Sequence, residues 1–125
     1  MQRPRVVVLA QDLIWQTRLA SLVEGAGGQV TRAKSAAELP ASLTEADALI
    51  VDLTAQTYDP IDAIEQASRA GVRVLAIGQH DDHPLRKRAL RVGAERVFAY
   101  RKLHEDGPAT IGAWLAAAPS PATAS

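Results

Sequence analysis

The sequence has no cysteine and few aromatic residues, and these absences exclude several classes of protein. None of its 125 residues is a cysteine, which excludes disulfides, thiol nucleophiles and cysteine-ligated zinc. Aromatic residues make up 4%, too few to favour a stacking surface for single-stranded nucleic acid. The 14 basic and 14 acidic residues give a formal net charge of zero, so the overall field attracts neither DNA nor a membrane.

Long apolar runs are also missing. No segment approaches the ~20 apolar residues of a membrane span, and the N-terminal run at 6–10 is shorter than the ~7–15 residues of a signal-peptide core. We therefore predict a cytoplasmic protein without a membrane partner. Its length and apolar content of 47% predict one globular domain over 1–118. The segment PSPATAS at 119–125 lacks periodicity and is predicted to be a flexible tail or linker.

Strand-type and helix-type patterns alternate five times along the chain. Apolar runs of strand length predict strands over 5–10, 29–33, 47–53, 72–78 and 96–100. Helical periodicity or capping signals predict helices over 15–26, 35–46, 59–71, 83–93 and 107–118. This order predicts an α/β fold with a single parallel sheet covered by helices on both faces.

Local signals support individual helices. The first helix is predicted to bury an apolar stripe that includes Trp15 and Ala26. Ser35 and Glu38 have the spacing of a capping box. Asp59 is predicted to cap the third helix, which has Pro60 at its first position.

Function in a parallel sheet is expected where the strands end at their carboxyl edge. Glycine-rich phosphate loops are missing there, because the first strand–helix turn reads LAQDLIW and GAGGQV at 25–30 follows a helix. HDDH at 80–83 is either a metal-binding cluster or, as we favour, a solvated loop that caps the next helix. No serine stands at a strand-end elbow. We therefore predict a protein that is not an enzyme.

Two segments resemble the receiver domain of bacterial response regulators: LIVDLTAQTYD at 49–59 and AIGQHDDHPLRKRALRVGAERVFAY at 76–100. The resemblance covers about residues 5–118, with RALRVGAERVF similar to the family's RALEAGADDYL. It implies a doubly wound sheet with strand order 2-1-3-4-5. It also implies that Asp52 stands where receivers accept a phosphoryl group from a histidine kinase.

The other positions that the resemblance makes functional have changed. Receivers hold Mg²⁺ with an acidic pair, but Ala10 and Gln11 stand here and Asp12 follows them. Gly78 replaces a residue that has a hydroxyl group. Tyr100 replaces the lysine that pairs with the phosphoryl group, and Lys102 lies two residues further on. Such losses predict a degenerate pseudo-receiver that needs no cofactor. Mg²⁺ would be required only if Asp12 and Lys102 take over the roles of the missing acidic residue and lysine.

Asp52 then has three interpretations. The first is a structural carboxylate that accepts backbone N–H bonds or pairs with a cation such as Lys102. The second is a residue that can still be phosphorylated to some extent, and the third is a contact for another ligand. The first is favoured, because a phosphoryl group without Mg²⁺ or lysine would meet uncompensated negative charge.

Basic residues concentrate between residues 86 and 102. We call the following six the basic face: Arg86, Lys87, Arg88, Arg91, Arg96 and Arg101. This face is either merely solvated or a surface for a protein partner, an output domain or a second copy of the chain, with nucleic acid less favoured. The hypotheses for function are therefore a phosphorylation-independent interaction module, a conventional phospho-accepting regulator, and a flavodoxin-like domain that binds a small molecule.

Overall fold

Five parallel strands form one sheet. The structure is a computed structural model that describes residues 3–117, so the predicted tail at 119–125 lies outside the described residues. The strands are β1 (Arg5–Leu9), β2 (Gln29–Ala33), β3 (Ala48–Asp52), β4 (Arg73–Gly78) and β5 (Arg96–Ala99). They pair in the order β2-β1-β3-β4-β5, all in parallel. The predicted fold class and strand order are confirmed.

Helices connect the strands, and the third of them begins directly after its predicted cap, Asp59. They are α1 (Leu13–Gly25), a 3₁₀ turn (Ala36–Glu38), α2 (Leu39–Leu43), α3 (Pro60–Arg69), α4 (His83–Val92) and α5 (Tyr100–Ala116). The Asp59 carboxylate accepts the backbone N–H of Ile61 and Asp62. Glu38 accepts the backbone N–H of Ser35, as the capping box predicts. Within residues 3–117, no helix is both long and apolar enough to cross a membrane.

The core has two layers, one on each face of the sheet. Alternate strand residues such as Val7 and Val51 pack with α2, α3 and α4. Their neighbours, such as Val8 and Ile50, pack with α1 and α5. Every residue of β3 is buried, because this central strand is covered on both faces.

Two details of the helices differ from the prediction. Ala26 is exposed beyond the end of α1, and the buried polar residue of that helix is Gln16. The Gln16 amide donates to the carbonyl oxygens of Ala10 and Ala33 at 3.1 and 3.2 Å, which explains why it can be buried.

The last helix begins at Tyr100 rather than at 107, and it is broken at Asp106 (φ −147°) just before Pro108. Its first segment buries little besides Leu103, so it has no apolar periodicity to reveal it.

A buried ion pair anchors the second segment of α5 to the sheet. The Arg73 guanidinium donates to both Glu95 carboxylate oxygens at 3.0 Å. It also donates to the Trp114 carbonyl oxygen at 2.9 Å and lies 4.6 Å from the centroid of the Trp114 ring. The side chains of Arg73 and Glu95 are 15% and 6% exposed. Loss of either partner would therefore leave a poorly solvated charge.

Candidate functional site

Asp52 ends β3 and is almost fully buried, with 1% of its surface exposed. Its Oδ1 atom accepts the backbone N–H of Thr54 at 3.0 Å and the Thr54 hydroxyl at 2.9 Å. The same oxygen accepts the hydroxyl of Tyr100. Three intramolecular donors therefore compensate for the burial of this carboxylate.

Tyr100 reaches Asp52 because β5 ends one residue earlier, at the same edge of the sheet. Its hydroxyl also lies against that of Thr54. Each hydroxyl has a single proton, so a hydroxyl that donates to Asp52 can only accept in its contact with the other hydroxyl. Burial, and then the hydrogen bond to Asp52, raise the pKa of Tyr100, so this tyrosine remains a neutral donor.

A cluster of side chains from α1 and α5 packs around the Tyr100 ring. The Trp15 ring lies 4.7 Å from it, centroid to centroid, and 5.2 Å from the His104 ring. The Arg18 guanidinium lies 5.3 Å from the Trp15 ring centroid and 3.0 Å from His104 Nδ1. These contacts hold Tyr100 over the end of β3 and restrict its rotamers.

Tyr58 also contacts the end of β3. Its hydroxyl contacts the backbone carbonyl oxygens of Leu9 and Asp52, and its ring is buried. Burial, with the nearby Asp52 charge, raises the pKa of Tyr58. Nothing in the sequence pattern indicated this residue, because an isolated tyrosine in a loop carries no periodic signal.

The residues at the positions where receivers hold Mg²⁺ have structural roles in this protein. Ala10 is buried, and the Gln11 side-chain oxygen accepts the backbone N–H of Gln56 and Thr57 at 2.6 and 3.1 Å. The Asp12 carboxylate caps α1 by accepting the N–H of Ile14 at 2.8 Å. Oxygen ligands suited to Mg²⁺ are carboxylates free to coordinate. Ala10 and Gln11 supply none, and the Oδ1 atoms of Asp12 and Asp52 are already hydrogen bonded, so the acidic pair that would hold the ion is missing here.

The hydroxyl group and the lysine that receivers place near the phosphoryl group are also missing from the corresponding positions, Gly78 and Tyr100. A Cβ atom at Gly78 would lie 3.2 Å from the Leu53 side chain, so this position is packed against a leucine. Lys102 pairs with Asp106 at 3.7 Å, and the pairing of Lys102 with Asp52 suggested by the sequence is not formed.

The HDDH loop provides a helix cap. Asp82 precedes α4 and accepts the backbone N–H of Leu85 at 3.2 Å. Within residues 3–117 no group of three or more histidine, aspartate or glutamate side chains is arranged to hold a metal ion. The loop therefore caps α4 through Asp82, as predicted.

The six residues of the basic face are all exposed. Four lie on α4, one begins β5 and one lies in the first turn of α5. Arg101 forms an ion pair with Glu105 at 2.8 Å. The other five, Arg86, Lys87, Arg88, Arg91 and Arg96, take part in none of the ion pairs found among residues 3–117.

Comparison with known proteins identifies the fold. No protein-family model matches the sequence, and no curated protein is significantly similar to it. A response regulator receiver domain protein from Clostridium thermocellum superposes with a TM-score of 0.73 at 17% identity, over 88% of this chain and 92% of that one. A two-component response regulator from Clostridium difficile has a TM-score of 0.78 at 13% identity, over 90% and 96%.

The chain has the fold of a response regulator receiver domain. Full-length FixJ from B. japonicum has the same fold at a TM-score of 0.75 and 20% identity, where the match covers 92% of this chain and 59% of FixJ. At these identities the likeness establishes the receiver fold and leaves the activity to be argued from the site.

The sequence located the strand ends of this receiver fold but not their contacts. Asp52, Gly78 and Tyr100 lie at the carboxyl edge of β3, β4 and β5, as predicted. That Tyr100 and Thr54 bond to Asp52 was not predicted. The Asx-type spacing of Asp52 and Thr54 was the available signal for one of these contacts. No local signal exists for the other, which spans 48 positions.

Proposed function

We propose that this protein is a pseudo-receiver: a non-enzymatic interaction module in signal transduction that works without phosphorylation of Asp52 and without a metal cofactor. The observation that carries the proposal is the closed environment of the Asp52 carboxylate. Its Oδ1 atom is bonded to Thr54 and Tyr100, and the residue is 1% exposed. A phosphoryl donor needs access to a carboxylate oxygen of this residue.

The electrostatics of the site support the same proposal. Transfer of a phosphoryl group depends on positioned cations and donors that neutralise the charge of the transition state. Around Asp52 the neighbouring positions supply an alanine, a glutamine, a glycine and a tyrosine, and Lys102 is paired with Asp106. Further negative charge on Asp52 would therefore gain little compensation and would break the bond from Tyr100.

The basic face is the proposed site of interaction. Its cations are exposed while the Asp52 site is closed, so recognition does not require the phosphoryl site to open. Receiver domains with this fold have been described as a dimer for NtrC4 and within full-length FixJ. We propose a protein partner or output domain, or a second copy of the chain, in the cytoplasm.

A conventional phospho-accepting regulator is the competing function. Receiver domains of DrrB and NtrC4 share this fold and were described in a form activated by beryllofluoride. In this chain the competing function requires Tyr100 to leave Asp52 and a cation to take its place. It therefore predicts that Tyr100 rearranges whenever Asp52 is phosphorylated.

Intact-mass measurement after incubation with acetyl phosphate and Mg²⁺ separates the two functions. We expect no phosphorylated species from the wild-type protein, and a conventional receiver treated in parallel should gain one phosphoryl group. A stoichiometric mass gain that is abolished by Asp52→Asn would overturn the proposal. Tyr100→Phe is the informative companion, because its phosphorylation would show that the tyrosine hydroxyl alone blocks the site.

A small-molecule function is tested separately. A flavodoxin-like domain that binds a nucleotide or flavin should be stabilised by that ligand in proportion to its occupancy. We expect no rise in the melting temperature with ATP, NAD or FMN, because the first strand–helix turn is LAQDLIW and offers no glycine to approach a phosphate.

A further inference from the structure

His104 connects α5 to α1 at the edge of the Asp52 site. It follows Tyr100 by one helical turn, so the two side chains lie on one face of α5. Its Nδ1 atom lies 3.0 Å from Arg18 Nη1, and its ring centroid lies 5.2 Å from that of Trp15. The Trp15 ring packs in turn on Tyr100, 4.7 Å away. One imidazole therefore contacts the tryptophan that positions the tyrosine over Asp52.

The contact with Arg18 requires a neutral imidazole. A guanidinium has N–H donors and no acceptor, so the Nδ1 atom of His104 has to accept this bond, with the ring proton on Nε2. A doubly protonated ring has no lone pair left and cannot accept it. Protonation would also bring two positive groups to hydrogen-bond distance, where they repel each other. The contact is therefore made in one protonation state of His104 and broken in the other.

The surroundings of His104 offer little compensation for a second proton on its ring. Arg18 on α1 and Arg101 on α5 are positive. Glu105, the acid next to His104 in α5, is already paired with Arg101 at 2.8 Å. His80, in the loop after β4, lines a cleft of about 300 Å³ together with these α5 side chains, and it would add positive charge at low pH. His104 is exposed, so protons reach it without any opening of the fold.

The first segment of α5 is weakly anchored, so these contacts matter for its position. Before its break this segment buries Leu103 and little else. The Arg18 guanidinium lies 5.3 Å from the centroid of the Trp15 ring, and repulsion from a protonated His104 would displace it. Trp15 would then lose two of its neighbours. Tyr100, the other titratable group of the cleft and a neutral donor, would lose the support that restricts its rotamers.

From this geometry we propose that His104 is a proton-sensitive switch of the Asp52 site. The neutral imidazole accepts the bond from Arg18 and keeps Trp15 against Tyr100, which covers Asp52. Protonation breaks the Arg18 bond, releases the first segment of α5 and lets Tyr100 leave the carboxylate. Histidine is the side chain whose charge ordinarily changes between pH 5 and 8. The inference rests on the proposed function, in which the Asp52 site is closed, and adds the condition that opens it.

Fluorine NMR of protein labelled with 5-fluorotryptophan follows the switch directly. The chain has two tryptophans, Trp15 and Trp114, so two resonances are expected, and Trp15→Phe assigns them. We expect the Trp15 resonance to shift in a single titration between about pH 8 and about pH 5.5. The Trp114 resonance should not follow it, because that ring packs on Arg73 in the second segment of α5. A Trp15 resonance that does not move with pH would overturn the inference.

Conservative variants assign the titration to one histidine. His104→Gln keeps an acceptor for Arg18 and cannot gain a charge, so its Trp15 resonance should no longer move with pH. His80→Gln removes the other imidazole of the cleft and should titrate as the wild type does. An unchanged titration in His104→Gln, or its loss in His80→Gln, would place the titrating group elsewhere and refute the switch.

A double-mutant cycle at two pH values measures whether Tyr100 leaves Asp52. In urea unfolding at about pH 8, Tyr100→Phe and Asp52→Asn should couple by about fivefold in the unfolding equilibrium constant, and at about pH 5.5 by less than about twofold. With His104→Gln the coupling should persist at both pH values, and with Arg18→Met, which removes the donor, it should be weak at both. The same coupling at the two pH values in the wild type would show that the site stays closed, against the inference.

The acetyl phosphate experiment keeps this inference separate from the proposed function. Phosphorylation of Asp52 in the wild type at about pH 8, where His104 is expected to be neutral, would overturn the proposed function whether or not the Trp15 resonance titrates. A Trp15 resonance that fails to titrate, in a protein that is not phosphorylated, would overturn the switch and leave the proposed function intact.

Discussion

The hydrogen bond from Tyr100 to Asp52 makes a quantitative prediction about stability. Tyr100→Phe removes the hydroxyl and keeps the ring that packs on Trp15. Asp52 is a buried carboxylate that accepts this bond, and a bond to a charged group is worth about 1.5–3 kcal/mol. Thr54 still supplies two donors to the same oxygen. We therefore expect the free energy of unfolding to fall by about 2 kcal/mol, near the lower end of that range.

Urea unfolding followed by tryptophan fluorescence measures this loss, and a double-mutant cycle assigns it. Asp52→Asn keeps the shape of the side chain and removes its charge, and charged acceptors make bonds roughly twice as strong as neutral ones. Tyr100→Phe and Asp52→Asn should therefore couple by about 1 kcal/mol.

Tyr58→Phe is the matched control, because its hydroxyl contacts backbone carbonyl oxygens and not the carboxylate. Its coupling to Asp52→Asn should stay within about 0.5 kcal/mol. If Tyr100→Phe costs less than about 0.5 kcal/mol, or couples no more strongly than the control, then the tyrosine does not compensate the buried charge.

Three other predictions concern the rest of the fold. Arg73→Met should lower the free energy of unfolding, measured in urea, by about 3–5 kcal/mol because it leaves the buried Glu95 without its cation. Adding Glu95→Gln should recover part of that loss. Gly93 has φ +130°, and a Cβ there would lie 2.5 Å from a hydroxyl on α3; Gly93→Ala should cost at least about 1–3 kcal/mol, whereas Gly25→Ala, with open space around it, should be neutral or stabilising. Both tyrosines have a raised pKa in the folded protein, so the unfolded chain loses their protons first and stability should fall as pH rises past about 10. Absorbance of tyrosinate should be absent from the folded protein at that pH and present after urea is added; its presence in the folded protein would contradict the burial of the two hydroxyls.

Helix caps show how much of the fold could be predicted from local sequence. The Asp59 carboxylate bonds to backbone groups two and three residues away, so the identity of its neighbours was enough to place the start of α3. The first segment of α5 shows the limit. It contains one buried leucine between charged residues, and its helical state is stabilised by packing on Trp15 through Tyr100 and His104.

By itself the sequence determined the α/β order, the parallel sheet and the residues that follow each strand, because hydrophobic periodicity and capping act over a few residues. Through its resemblance to receiver domains it also predicted that the residues around Asp52 have changed. Only the tertiary structure decided what surrounds Asp52 instead, since Tyr100 is brought to it from the end of β5, two places away from β3 in the sheet. It likewise decided which cations remain unpaired, because Arg101 and Lys102 meet acids on their own helix while those of α4 do not. Such contacts depend on packing between distant elements, and no local pattern encodes them.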